Sequence, residues 1–247
     1  MVAETYINGD YLSKNPLWHT DESPWKVQEI LRMLKRNHLT PRTICEVGCG
    51  AGENLHLLQK NLDPDCVFQG FEISPQAFAM CKSKENEGLR FHLADFTQER
   101  DAFYDLILVM DVVEHLEDYH AFLRNIHPKS RYKIIQLPLD LSVRSVLLGQ
   151  VDGFRQQFGH LHYFTKELAL QMLDDLGYKV VDYFYTTEPE GKWLKNWNNL
   201  PLLLKCKKLL GSTLRTMLRL PGKLSFKVNE DLAERIWGQW RLLILVE

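Results

Sequence analysis

The sequence predicts an α/β domain built on a mostly parallel sheet with helices on both faces. Three observations predict it. Short apolar runs alternate with helix-period segments between residues 25 and 186, the pattern of parallel strands joined by crossover helices. A glycine-rich turn, EVGCGAGENL at 46–55, follows the first apolar run. Acidic residues stand at the ends of successive runs, where such sheets bind ligands beyond the carboxyl ends of their strands.

The elements follow in order. Residues 1–22 are polar and aromatic without a period and read as an N-terminal arm lying over the domain. A helix opens at SPWKVQEILRML, where Ser23 can cap, Pro24 suits the first position and Ile30, Leu31 and Leu34 share a face. Strands are expected at 42–48, 66–73, 89–95, 104–111 and 133–139. Helices are expected after Glu53, after the Ser74–Pro75 pair and near 118–125. Past residue 140 a helical patch leads to a glycine-flanked loop, FGHLHYF. Thr165 can cap a helix that stops at Gly177, and strands are expected at 178–186 and 240–246. More than fifty residues separate those last two strands, which points to an insertion.

Composition limits the function classes. The chain has 247 residues, 45% hydrophobic and 25% charged, which suits one domain with a full core. A net charge of −2 gives no nucleic-acid signal, and nucleic acid is not an expected partner. The five cysteines form no C-x-x-C pair, which argues against a zinc ribbon or a thioredoxin-type site and for buried, reduced thiols. No secretory leader or membrane-spanning run is visible. The expected location is the cytoplasm, including the inner face of a membrane.

The glycine turn can be weighed against its rivals. A triphosphate loop needs G-x-x-x-x-G-K-[ST], and no Lys-Ser or Lys-Thr follows these glycines. A dinucleotide turn needs G-x-G-x-x-G, and Glu53 occupies the third position, where a carboxylate would repel a pyrophosphate. Gly48, Gly50 and Gly52 instead form G-x-G-x-G, preceded by Glu46, and that acid suits a ligand with a positive group. Glu72, twenty residues after Gly52, can accept both hydroxyls of a ribose. Asp95 can accept from an adenine amino group or cap a turn.

The segments EVGCGAGENL, GFEIS, FHLADF and YDLILVMDVVEHLED, in this order and spacing, resemble the motifs of the class I S-adenosylmethionine-dependent methyltransferases. The resemblance spans about residues 25–185. It implies a Rossmann-like seven-stranded sheet, with WRLLILV as an antiparallel last strand and a helical insertion before it. It implies S-adenosyl-L-methionine as cofactor. By resemblance, Glu46, Gly48, Cys49, Gly50 and Gly52 line its methionine and sugar portion, and Glu72 with Ile73 holds the ribose. Asp95 with Phe96 meets the adenine, and Asp111 lies near the amino-acid end. The implied activity is methyl transfer to a small or medium-sized acceptor, at oxygen; a non-catalytic cofactor-binding regulatory or interaction protein is the alternative.

Methyl transfer needs alignment, and a base where the acceptor carries a proton. His115, just past the fourth strand, and His160 and His162, two apart, are the candidates. Two histidines at i and i+2 could bind a metal, but no third ligand at suitable spacing accompanies them, so none is expected. Residues 187–235 read as a basic helical insertion or cap: 191–229 hold nine Lys or Arg and no Asp or Glu, interleaved with leucines. Such a segment suits a packed cap, a homodimer face, or contact with an anionic membrane surface through 192–227, where a glycan or lipid-linked acceptor could be reached.

Overall fold

The computed structural model describes residues 6, 8–187, 222, 224–238 and 240–247. Most of the basic insertion expected over 187–235, and of the membrane-contact segment 192–227, lies outside the described residues. The described helices are α1 (Asp10–Lys14), α2 (Ser23–Arg36), α3 (Glu53–Gln59), α4 (Pro75–Cys81), α5 (Tyr119–Ile126), α6 (Val143–Leu147), α7 (Gln150–Phe158), α8 (Lys166–Asp175) and α9 (Glu230–Trp237). The strands are β1 (Thr43–Val47), β2 (Val67–Glu72), β3 (Leu89–Leu93), β4 (Tyr104–Met110), β5 (Ser130–Pro138), β6 (Val180–Thr186) and β7 (Arg241–Val246).

The strands form one seven-stranded sheet in the order β3-β2-β1-β4-β5-β7-β6. Strands β1 to β5 pair in parallel, and β7 runs antiparallel between β5 and β6. The order reverses between β1 and β4, so a crevice opens beyond their carboxyl ends. Because β7 is antiparallel, its first residue, Arg241, reaches that same edge, opposite Pro138 at the end of β5.

Alternation along the strands sends side chains to two separate cores. Ile107, Val109, Ile135 and Ile244 pack with Phe122, Leu123 and Ile126 of α5 and Leu173 of α8. Leu106, Leu108, Ile134 and Leu245 pack on the other face with Ile30, Met33 and Leu34 of α2 and Leu55 and Leu58 of α3. Ser74 and Thr165 cap where the sequence suggests, accepting from the Ala77 and Leu168 amides, and Asp118 caps α5 by accepting from Ala121. Helix α2 differs. Ser23 is its first residue, not its cap, and the Glu22 side chain at the cap position turns instead to Lys26, His19 and Arg241. No helix among the described residues is long and apolar enough to cross a membrane.

Lys133 sits in the middle of β5 with 1% of its surface exposed. Its amine donates to the Ser130 carbonyl at 3.1 Å and lies 5.5 Å from the Tyr178 ring. Burial pushes its pKa down to about 8. The unfolded chain therefore binds more protons than the folded one between pH 8 and the ordinary lysine range, and stability rises with pH through that window. Lys133→Met should raise the thermal midpoint at pH 7 by about 2–4 °C, the shift for ~1 kcal/mol in a chain of this size. The gap to wild type should narrow above pH 8 in a pH series of melting curves.

Candidate functional site

The turn after β1 is held by its own amides. Gly48 and Cys49 donate to the Phe71 carbonyl of β2 at 2.9 and 3.1 Å. Gly48, Gly50 and Gly52 have φ of 72°, 55° and 73°, a region L side chains rarely enter. A Cβ on Gly48 would fall 2.7 Å from Val112, on Gly50 2.7 Å from the Trp18 indole, and on Gly52 2.5 Å from Phe91. Glu72 clasps the turn: its Oε2 accepts from the Gly50 amide at 2.8 Å, and its Oε1 from Ile73 and Ser74 at 2.9 Å each. Burial raises the Glu72 pKa, although these three donors oppose the shift.

Beyond the turn lies a cavity of about 650 Å³, bordered by Glu46, Gly48, Cys49, Gly50, Glu72, Ile73, Asp111, His115 and His160 among others. Glu46 is buried, with Oε1 accepting from Asn54 at 2.7 Å and Oε2 without a hydrogen-bond partner. Burial pushes its pKa up to about 7. Asp111 has φ of 56° and holds Lys26 of α2 at 2.8 Å, with Arg241 3.4 Å away. Those two cations keep its carboxyl below the usual range against the cost of burial.

The 3-10 turn Val113–His115 and the loop 159–165 meet through the backbone. The Glu114 carbonyl accepts from the amides of Leu161 and His162 at 2.8 and 3.1 Å. That pairing brings His160 to His115, their ring centroids 5.0 Å apart. The His160 Nδ1 is 2.5 Å from Asp140, which follows β5, and the His115 Nδ1 is 3.3 Å from the Gly159 carbonyl. Burial and the neighbouring His160 lower the His115 pKa to about 4, so this ring is neutral at pH 7. Glu114 is fully buried, and neither carboxylate oxygen has a hydrogen-bond partner. Burial, with Asp111 nearby, raises its pKa well above the carboxylate range.

Four of the expected site residues lie outside the cavity lining. Gly52 sits one step back, packed against Phe91 and Cys81. Asp95 is exposed and caps the following 3-10 turn, its Oδ1 accepting from the Thr97 amide at 2.9 Å and hydroxyl at 2.7 Å. Phe96 is in the core, 4.9 Å from Phe71. His162 turns away: its Nε2 is 2.8 Å from the Leu116 carbonyl and its ring meets Tyr119 edge-on at 4.6 Å. His160 sits against Asp140 and His115 while His162 sits against Leu116 and Tyr119, so the two do not share a side as an extended strand would require.

Sequence reasoning missed several residues that border the cavity. Asp140 stands just past β5, so the strand-end rule that singled out Asp95 applies to it equally. Lys26 and Arg241 are separated by most of the chain and meet through the fold. Tyr11 and Trp18 of the arm meet edge-on at 5.0 Å, and Tyr6 meets the His115 ring edge-on at 5.9 Å. The arm's aperiodic aromatics, which matched no helix or strand pattern, were their signal.

The chain matches the family model described as a methyltransferase domain over residues 17–183. Among solved structures, it resembles a Haloferax volcanii putative methyltransferase in complex with the Trm112 methyltransferase activator, at 13% identity and a TM-score of 0.62, covering 100% of this chain and 96% of that one. It resembles magnesium protoporphyrin IX methyltransferase from Synechocystis PCC 6803 with bound SAH, at 14% identity and a TM-score of 0.56, covering 94% and 84%. A SAM-dependent methyltransferase from Archaeoglobus fulgidus follows at 18% identity and a TM-score of 0.53, covering 91% and 96%. At these identities the likeness to solved structures is one of fold.

Gly52→Ala should destabilise the fold by roughly 2 kcal/mol, because it combines a left-handed backbone with a Cβ driven into Phe91. Urea denaturation at constant m-value would check it.

Proposed function

The chain belongs to the methyltransferase-domain family as an S-adenosylmethionine-dependent member, and from that premise we propose that it methylates an oxygen of a small or medium-sized acceptor. The observation that carries this reading is that the glycine turn and the His160–Asp140 pair open on one cavity. A volume near 650 Å³ is in the ordinary range for a small-molecule site.

The residues present fit the cofactor. The unpartnered Oε2 of buried Glu46 suits a cationic ligand and would repel a phosphate. Gly48, Cys49, Gly50 and Ile73 form a bed that side chains at the glycines would fill. A carboxylate offers about four acceptor sites, so Glu72, with three amides bound, keeps capacity for a ribose hydroxyl. Asp95 lies outside the cavity lining, so its part in holding the adenine rests on the family resemblance alone. S-adenosylmethionine, when bound, supplies a methyl group on a sulfonium, which leaves as a neutral thioether when the O–C bond forms and the S–C bond breaks.

The protein's own part is placement and the acceptor proton. Asp140 holds the His160 ring by Nδ1, so Nε2 is the atom that takes the hydroxyl proton. Neutral His115 and the aromatic rings of Phe154 and Phe158 complete that wall and limit water. Tyr6, Tyr11 and Trp18 cover the other side, so the described residues of the expected arm, 6 and 8–22, border the pocket from that side. The basic, acid-free run within 192–227 supports contact with an anionic membrane surface and access to a lipid-linked or glycan acceptor.

Calorimetry should show S-adenosylmethionine binding and no NAD binding, and Gly50→Arg should abolish the former; the opposite ligand preference would sink this reading. Once an acceptor is in hand, His160→Ala should lower kcat by about 10²–10⁴-fold, the usual worth of a positioned acid–base group. His162→Ala should leave kcat unchanged in the same assay. The membrane contact predicts flotation with anionic vesicles at low salt and release at high salt; no flotation at low salt would remove it.

A further inference from the structure

The Glu114, His115 and His160 cluster carries one inference, which rests on the cavity being the acceptor side of a methyltransferase. We propose that these three side chains bind a divalent first-row transition ion whose open coordination position faces the acceptor oxygen.

One ligand atom from each residue lies within 4.8 Å of the other two. His115 Nε2 and Glu114 Oε1 are 3.8 Å apart. Ligands bound tetrahedrally at about 2.1 Å stand about 3.4 Å from one another, so small side-chain rotations close the site. Both imidazoles are already arranged as metal ligands are. His115 has Nδ1 against the Gly159 carbonyl and His160 has Nδ1 against Asp140. A carbonyl or carboxylate in that position fixes the proton on Nδ1 and leaves the Nε2 lone pair for a cation.

Glu114 supplies an independent observation. It is fully buried at the cavity wall, and both its oxygens lack a hydrogen-bond partner. A buried carboxylate without partners is costly, and coordination to a cation is one of the arrangements that offsets the cost. Its backbone is fixed by the amides of Leu161 and His162, so the carboxylate and His160 are held in register. Asp111, three residues earlier, is engaged with Lys26 and Arg241 and is not part of the set.

Two imidazoles and one carboxylate favour zinc, manganese, iron(II) or cobalt over magnesium or calcium, which take all-oxygen sites. The sequence argued against a metal because His160 and His162 had no third ligand. The fold removes His162 from the pair and replaces it with Glu114 and His115. With an ion in place, His160 Nε2 is a ligand and no longer the proton acceptor, so the base role given to His160 above is replaced: the cation would acidify the acceptor hydroxyl, and its proton would pass to solvent.

The test is cobalt(II) titration of the chelator-stripped full chain, without acceptor. The expected result is uptake of a single ion with a visible d–d band of low coordination number, displaced by zinc. Glu114→Gln, His115→Ala and His160→Ala should each remove the band, and His162→Ala should keep it. Asp140→Ala should weaken binding by roughly 10–100-fold, as loss of an orienting partner does. Calorimetry of S-adenosylmethionine on the same metal-free proteins reports separately on folding and on the enzyme reading. Cofactor binding with no cobalt band in wild type overturns the metal inference and leaves the methyltransferase standing. A band that survives in all three ligand variants assigns the ion elsewhere and overturns it as well. Failure of the wild-type chain to bind the cofactor removes the premise itself.

Discussion

Three backbone amides converge on the Glu72 carboxylate, and the cavity is organised around that convergence. The Gly50 amide comes from the turn after β1, and those of Ile73 and Ser74 come from the end of β2. One side chain therefore locks two strand ends together at the edge where the sheet opens. The turn could not close this way without left-handed residues at 48, 50 and 52, and each of those positions also has a neighbour where a Cβ would go. The start of α3, the approach of Trp18 and the mouth of the cavity all follow from this one clasp. Buried N–H groups cost about 1–3 kcal/mol each when left without an acceptor, so Glu72 has structural work whether or not a ligand is present.

The charges around the cavity fall into two kinds. Glu22 and Asp111 are paired with Lys26 and Arg241, a cluster that joins the arm, α2, β4 and β7. Glu46 and Glu114 are different: each is buried, each retains unpartnered carboxylate oxygen, and each has its pKa raised by burial. Isolated burial of an ion costs several kcal/mol even after relaxation. Burial favours the neutral form of both acids in the empty cavity, and a cation beside either would favour its ionised form. Glu46 meets this need from the glycine-turn side and Glu114 from the histidine side.

How far the chain could be read follows from how local each feature is. Strand–helix alternation, the capping residues Ser74 and Thr165, and the glycine turn are set within a few residues, and they were legible. The fold class, the sheet and the family followed from them. The side-chain geometry at 160–162 was not legible, because a period of two holds only for an extended strand. Here the amides of Leu161 and His162 both bond to the Glu114 carbonyl, which turns His162 toward Leu116. Asp140 carries no motif, and its meaning comes from a histidine twenty residues away. Arg241 reaches the cavity because β7 is antiparallel, a topological fact that no local pattern carries.

The division of the cavity follows chain order, and that order has a physical consequence. The glycine-turn half comes from residues 46–73, contributed by two adjacent parallel strands and the turn between them. The histidine half needs closures over long separations: His115 on Gly159, His160 on Asp140 and Glu114 on Leu161. Loop-closure entropy grows only slowly with loop length, so the second half tolerates changes in loops that leave the clasp at Glu72 untouched. Changes of shape in this half can then be accommodated by α7 and the loop 159–165, which carry Phe154, Phe158 and His160 of the lining. The constraint that such changes must respect is the backbone pairing to Glu114, since it sets His160 against both His115 and Asp140. The geometry of the histidine half is therefore governed less by the motif-bearing strands than by one carbonyl in the 3-10 turn after β4.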